Sequence, residues 1–479
     1  MRLGNLIPDL TDEQAAITVT GFAIDHRKIA PGNIFGAFAG AVVNGEDFID
    51  AAIANGAVAI VASSAASVRG AMHISDSNPR AKFASLAARY FEPAPAMVAA
   101  VTGTNGKTST AELTRQLWRM AGHSAASIGT LGITTSTDQV NTGLTTPDIV
   151  TFLSNMSGLA REGVTHAIFE ASSHGLDQHR TEGVKVSIAA FTNLSRDHLD
   201  YHGDLDSYFN AKMRLFDEVA DANATAVIWA DDGWSAKAIE HAKKRDLRLI
   251  TVGENGKGIQ IVKRTATQLG QSLELVIQGE HLKLNLPLIG AYQAANAMTS
   301  AAIVLASGGD LEDIMRHLSR LQPVRGRLER AAITPRGAPV YVDYAHTPDG
   351  LAAAIAALRP HTDGRLITVF GAGGDRDTGK RPEMGKVAAQ HSDIVIVTDD
   401  NPRSEDPAQI RQDIMAGCPD ATEVGDRRAA IAHAIEIAEP KDIILIAGKG
   451  HEQGQIFGSG DNIRIVAFDD VEVVRECAA

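Results

Sequence analysis

The run Gly103-Thr104-Asn105-Gly106-Lys107-Thr108, with Ser109 after it, carries the residue types that hold a polyphosphate. Glycines let backbone N–H groups crowd the phosphates, Lys107 supplies a point charge for the β/γ oxygens, and the Thr108 hydroxyl can ligate Mg2+. A full P-loop carries glycine where Val101 stands, so this is a shortened variant; the plainer alternative is a Gly-rich turn capping a core helix. Far along the chain, Arg403 in Asp400-Asn401-Pro402-Arg403 offers a guanidinium fork that fits a carboxylate bidentately, and Arg376 in Gly373-Gly374-Asp375-Arg376-Asp377 offers another. Two forks suggest two carboxylates, and Asp400, Asn401 and Glu452 complement an ammonium at the far end of the same ligand. Asn-Pro is also a common turn signal, so the plainer alternative for the second run is a turn closed by an internal salt bridge.

These groups need elements to aim them. Met97-Val98-Ala99-Ala100-Val101 reads as a buried strand before the phosphate loop, and Leu113, Leu117 and Met120 mark a helix after it. Glu170 ends the strand-like 167–171 and His198 follows the strand-like 188–193, so both can converge on a metal beside the loop. Taken singly, Glu170 is also a helix-capping acid and His198 an ordinary hydrogen-bonding side chain. Further strands are expected at 226–230 and 247–252, alternating β stretches over about 259–288, and a last alternation with strands at 340–342, 366–370, 394–398 and 443–447. The fold class is therefore α/β in three domains. A small opening unit, with a strand at 57–62 after a helix, ends at Glu92-Pro93-Ala94-Pro95. A central mononucleotide-binding, P-loop-like domain follows over 94–324, and a doubly wound, Rossmann-like domain over 325–479.

Composition fits such an enzyme. The 479 residues are 44% hydrophobic, enough for several cores, and the formal charge of −13 argues against a nucleic-acid surface. Cys418 and Cys477 are too few for a disulfide framework. With no signal-peptide start and no apolar run long enough to span a bilayer, a cytoplasmic protein without membrane insertion is expected.

The chain resembles the Mur ligases along nearly its whole length. Gly103–Thr108 is shared with folylpolyglutamate synthases; narrower are Thr145-Thr146-Pro147-Asp148, Glu170-Ala171-Ser172-Ser173-His174-Gly175-Leu176, Asp197-His198-Leu199-Asp200-Tyr201-His202, Asp343-Tyr344-Ala345-His346, Asp400–Arg403 and Gly448-Lys449-Gly450-His451-Glu452. Within the family they match the type that adds the third amino acid to UDP-N-acetylmuramoyl-L-alanyl-D-glutamate. The resemblance implies ATP and Mg2+, an acyl-phosphate intermediate and no covalent enzyme intermediate. It makes Glu170 and His198 Mg2+ ligands and Lys212 a carbamylated lysine that helps hold a second Mg2+. It assigns Asn296, Arg327, Asp343 and His346 to the nucleotide, and Thr145, Thr146, Ser172, Gln178 and Arg180 to the nucleotide-sugar peptide. The uridine end falls to the first domain, with Asp25 and His26, where the family's Asp-Ser-Arg appears as Asp25-His26-Arg27. A second departure is Gln293, where the family commonly has Asn. The amino-acid pocket comprises Arg376, Asp400, Asn401, Pro402, Arg403, Gly448 and Glu452, and the protein is expected to act as a monomer.

Arg403 favours meso-diaminopimelate over lysine, which lacks the distal carboxylate, and the Thr145–Asp148 run disfavours a folate-glutamylating ligase. A nucleotide-gated binding protein would keep Lys107 and Thr108 but would need neither Glu170, His198 and Lys212 nor a second pocket.

Overall fold

The computed structural model describes residues 1–40, 43–140, 143–267 and 270–479. At the centre of an 11-stranded sheet, Met97–Thr102 pairs in parallel with His166–Glu170 on one side and Val186–Phe191 on the other. These strands are buried almost throughout, as parallel strands covered by helices on both faces require. Their carboxyl ends lie along one edge, where ligands bind in open α/β sheets. Ala220–Trp229 and Arg248–Gly253 extend the sheet in parallel, and Ile259–Thr267, Gly270–Ile277 and Glu280–Leu286 finish it as an antiparallel meander. Of the β stretch expected over 259–288, Gln268 and Leu269 lie outside the described residues.

One strand starts well before its expected position. The run anticipated at 226–230 is the end of Ala220–Trp229, whose partly exposed Asp221-Ala222-Asn223 interrupts the apolar pattern. Val186 pairs with Ala220 before a register shift, so sheet pairing overrides local composition there.

The opening unit is a four-stranded parallel sheet in chain order, Gly21–Ala23, Asn33–Gly36, Ala59–Ala62 and Met72–Ser75. Its helix Pro79–Tyr90 contributes Phe83 and Leu86 to a hydrophobic cluster that continues into Val98, Phe152 and Phe169 of the central sheet. The third sheet runs from the antiparallel edge Glu329–Ile333 through Pro339–Asp343, Ile443–Ala447, Leu366–Phe370 and Ile394–Val397 to Thr422–Glu423. Leu366 and Phe370 pack on one face while Ile367 and Val369 pack on the other, the period of two expected of a sheet buried on both sides. The four strands from Pro339–Asp343 to Ile394–Val397 deliver Asp343, the Gly373–Asp377 loop, Asp400–Arg403 and Gly448–Glu452 at their carboxyl ends. Among the described residues no helix is long and apolar enough to cross a membrane. Cys418 is buried, and burial pushes its thiol up to about 11.

Candidate active site

The phosphate loop is wedged between two neighbours. Gly103 has φ +146°, and a Cβ there would meet Thr192 Oγ1 at 1.9 Å; Gly106 has φ +85°, and a Cβ would meet Asn296 Oδ1 at 2.4 Å. Only glycine supplies both the backbone conformation and the clearance. The loop is tied to the next strand end, because Thr104 N donates to Asn193 O and Asn105 N to Asn193 Oδ1, both at 2.9 Å.

Two lysines converge on the loop. Lys107 Nζ donates to Gly103 O and Thr104 O, and Lys212 Nζ donates to the same Gly103 O, each at 2.8 Å. Lys212 is 1% exposed and lies 4.2 Å over the Tyr208 ring. Burial lowers the affinity of both amines for a proton, and for Lys212 the neighbouring Lys107 adds to it. Lys212 is thus biased strongly toward its neutral form.

Thr108 begins the helix Lys107–Met120 and donates its hydroxyl to Glu170 Oε2 at 3.0 Å. Glu170 is buried and also accepts from Thr130 N at 2.8 Å. Hydroxyl and carboxylate oxygens side by side are donors that suit a hard divalent cation. His198 lies in a different group: it is half-exposed, has φ +53°, and sits 3.5 Å from Asp197 with its ring 4.9 Å from that of His174. Among the described residues, three His or carboxylate groups close enough to share an ion occur at His179, Glu182 and Glu218, where the Arg214 guanidinium already lies 3.1 Å from Glu182 and 2.6 Å from Glu218.

A cavity of about 580 Å³ opens beside the loop, lined by Asn105, Gly106, Ser109, Asn296, Arg327, Asp343 and His346. Arg327 spans the two sheets that bound it, donating to Thr108 Oγ1 at 3.1 Å. Asp343 accepts from Leu328 N at 2.7 Å and from Tyr292 at 3.2 Å; burial pushes its carboxyl up and Arg327 pulls it back. Gln293, the longer residue where the family commonly has Asn, donates to Arg327 O at 2.9 Å and so fixes the backbone that carries this guanidinium.

A second cavity of about 400 Å³ adjoins the first, and Tyr344, His346 and Asp349 line both. Its wall includes His198, Arg376, Asp400, Asn401, Arg403, Gly448 and Glu452. Arg403 has φ +53° and is pinned by its N–H to Ile456 O at 2.9 Å and by one guanidinium nitrogen to Gly374 O at 2.8 Å. A non-glycine residue held in the left-handed region by several bonds is characteristic of a functional turn. The Asp400, Asn401 and Glu452 set already surrounds an ammonium of the chain itself, that of Lys449. Its Nζ lies 2.9 Å from Asn401 Oδ1, 3.1 Å from Glu452 Oε2 and 3.5 Å from Asp400 Oδ1.

The nucleotide-sugar candidates separate into two groups. Thr146 Oγ1 donates to Glu170 O at 2.8 Å and lies 2.9 Å from Ser172 Oγ; Arg180 donates to Thr146 O at 3.1 Å and to Gln178 Oε1 at 2.6 Å; Thr145 reaches Thr130 at 3.1 Å. This network ends on the Glu170 strand. Asp25 and His26 are not part of it: Asp25 is paired with Arg27 at 2.9 Å, and the His26 ring stacks on Phe48 at 4.4 Å. Pro402 is buried in the turn and shapes it without lining the cavity.

Sequence reasoning missed two lysines. Lys449 was visible inside Gly448–Glu452, but a lysine among carboxylates reads as a solvated charge. Lys380 lines the second cavity and donates to His346 O at 2.9 Å, and its position after Thr378-Gly379 gave no distinguishing signal.

Three family profiles match: Mur ligase family, catalytic domain over 18–103; Mur ligase middle domain over 101–304; and Mur ligase, glutamate ligase domain over 326–450. A curated relative from Zymomonas mobilis, named UDP-N-acetylmuramoyl-L-alanyl-D-glutamate--2,6-diaminopimelate ligase, is 59% identical over 98% of this chain and 96% of its own. A second of the same name, from Bradyrhizobium diazoefficiens, is 50% identical over 97% and 96%. A solved structure of that name has TM-score 0.74 and 34% identity, covering 100% of this chain and 98% of the other. A Mycobacterium tuberculosis folylpolyglutamate synthase solved with ADP and AMPPCP shares the fold at TM-score 0.63 and 21% identity, over 74% of this chain and 88% of its own.

Proposed function

The chain belongs to the Mur ligase family, and we propose that it uses ATP to join meso-diaminopimelate to UDP-N-acetylmuramoyl-L-alanyl-D-glutamate, in cytoplasmic peptidoglycan precursor synthesis. The observation that carries this reading is the common wall of the two cavities. A pocket beside the phosphate loop and a pocket whose wall includes the guanidiniums of Arg376 and Arg403 and the carboxylates of Asp400 and Glu452 meet at Tyr344, His346 and Asp349. A ligand with two ammonium and two carboxylate groups complements the second pocket better than lysine does.

In this reading the D-glutamyl γ-carboxylate attacks the γ-phosphorus of ATP, the bond to ADP breaks, and an acyl phosphate forms. The amine of diaminopimelate then attacks the acyl carbon, losing a proton, and inorganic phosphate leaves. Most of the work is positioning anions that repel each other. Lys107 and Arg327 counter the phosphate charge, and Asn296, Asp343 and His346 hold the nucleotide. Thr145, Thr146, Ser172, Gln178 and Arg180 hold the peptide end of the nucleotide sugar, with Asp25 and His26 toward the uridine. Arg376 and Arg403 take the carboxylates of the amino acid.

Thr108, Glu170, His198 and Lys212 as a carbamate would hold two Mg2+ ions between them; the adjoining Thr108 and Glu170 oxygens fit one of them. When bound, Mg2+ neutralises charge on the phosphoryl oxygens. Carbamylation is supported by the depressed basicity of Lys212, because the neutral amine is the form that adds CO2, releasing a proton. We assign 1–93 to the uridine end, 94–324 to ATP and 325–479 to the amino acid, in a chain working as a monomer.

The deciding assay is phosphate release with the UDP-muramoyl dipeptide and, in turn, diaminopimelate, lysine and glutamate, with product mass recorded. Turnover with diaminopimelate well above the other two is expected. Equal or greater turnover with lysine or glutamate would sink the assignment.

A further inference from the structure

Lys449 is fully buried, and all three of its recorded side-chain partners belong to the amino-acid pocket. Asn401 completes the ring, donating Nδ2 to Glu452 Oε2 at 2.8 Å while accepting from Lys449. Two donors therefore hold Glu452 Oε2, while Oε1 is left with a long contact of 3.5 Å to the Tyr344 hydroxyl. Both Glu452 and Tyr344 line the cavity. The adjacent buried cation, Arg427, is paired with Asp470 at 2.7 Å and its charge also reaches Asp400 and Glu452, but Lys449 is the cation in direct contact with the ring.

We infer that Lys449 is a positioning and specificity-determining residue, which fixes Glu452 for the amine of the incoming amino acid and offsets one of the two carboxylates, Asp400 and Glu452, that surround it. The inference rests on the ligase reading above. With Lys449, the ring of Asp400, Glu452 and Lys449 carries one net negative charge; without it, two. A ring with one negative charge beside Arg403 suits an end that bears both an ammonium and a carboxylate. A ring with two attracts a lone ammonium and repels the carboxylate, because charges this close and this sheltered from water act strongly on one another. Lys449 thereby disfavours lysine from the acidic side of the pocket, as Arg403 does from the basic side.

The test is steady-state kinetics on the full chain for wild type, Lys449→Met and Lys449→Gln, with ATP, diaminopimelate and lysine varied separately and melting temperature recorded. Glutamine keeps donors for Asn401 and Glu452 while removing the charge, so it decides the matter if the methionine variant does not fold. Expected are a rise of about tenfold or more in KM for diaminopimelate, an unchanged KM for ATP, and a fall of about tenfold or more in the diaminopimelate-to-lysine ratio of kcat/KM. An unchanged ratio in a folded variant overturns the inference, as does a parallel rise in the KM of ATP, which would mark a merely structural lysine. Failure of the wild type itself to use diaminopimelate would instead remove the ligase reading, so the two failures are distinct.

Discussion

The Arg327 guanidinium donates to the Thr108 hydroxyl at 3.1 Å across 219 positions of sequence, joining the third sheet to the loop at the edge of the second. It also lies 4.4 Å over the Tyr344 ring, the residue shared by the two cavities. One side chain thus touches the phosphate loop, the nucleotide cavity and the wall of the amino-acid cavity. A polyphosphate arriving at Thr108 would offer Arg327 a stronger, charged acceptor than a hydroxyl, so in the proposed reading nucleotide binding draws on the residue that links the two sheets.

Arg327→Ala is therefore expected to raise KM for ATP by about 10–100-fold, from a charge-assisted hydrogen bond worth about 1.5–3 kcal/mol. KM for the amino acid should move much less. Initial rates with each substrate varied in turn check this, and equal effects on both would show that Arg327 only braces the domains.

Lys212→Ala should lose most activity and regain part of it when a short carboxylic acid is supplied to take the place of the carbamate. Intact-mass measurement of the wild type under bicarbonate should show the added CO2. A variant that keeps its activity, together with an unmodified mass in the wild type, would reject the carbamate.

Asp25 yields a pH prediction in the opening unit. Its hydrogen bond from the Arg27 side chain holds the carboxyl down at about 2, from an ordinary 3.8. A depressed carboxylate favours the folded state above its unfolded value, and that contribution is lost as pH falls through the folded value. The pair should therefore persist from neutral pH down past 3.8 and dissolve toward about 2. Carbon-13 NMR titration of Asp25 reads it directly, and Arg27→Ala should return the midpoint toward 3.8. A midpoint that does not move would mean the pair is not made in solution.

Much of this architecture was legible because the chemistry sits where strand periodicity ends. Met97–Thr102, Leu366–Phe370 and Ile443–Ala447 are nearly continuous apolar runs, each followed by glycine, and the loops after them line the candidate site. Ala220–Trp229 was cut short because exposed residues interrupt its pattern while pairing with Val186 continues. Side-chain direction was not legible. Nothing in the spacing of Asp400, Asn401 and Glu452 says that their shared cation is Lys449, since that depends on two strand ends meeting in space. The separation of His198 from the Glu170 group has the same origin: His198 follows its strand by seven residues, and its left-handed turn aims the ring toward His174.

Arg403 carries the last prediction, because in the proposed reading it would face the one group that diaminopimelate has and lysine lacks. Its guanidinium is partly committed, with one nitrogen on Gly374 O at 2.8 Å, and both burial and the nearby Arg376 work against its charge. An incoming carboxylate relieves both costs. An incoming lysine relieves neither and leaves the cation desolvated, the circumstance in which polar sites reject an analogue most strongly. Arg403→Ala should lower kcat/KM for diaminopimelate by about 100-fold or more, since a bidentate pair involves two charge-assisted bonds of about 1.5–3 kcal/mol each. The weak lysine reaction should fall less, or rise. Full lysine activity is not expected, because Arg376 and Lys449 still disfavour a lone ammonium. The quantity to compare is the ratio of kcat/KM for the two amino acids in wild type and variant. An unchanged ratio would make Arg403 a turn residue, held by its bonds to Ile456 and Gly458, and would remove the main physical support for a two-carboxylate substrate.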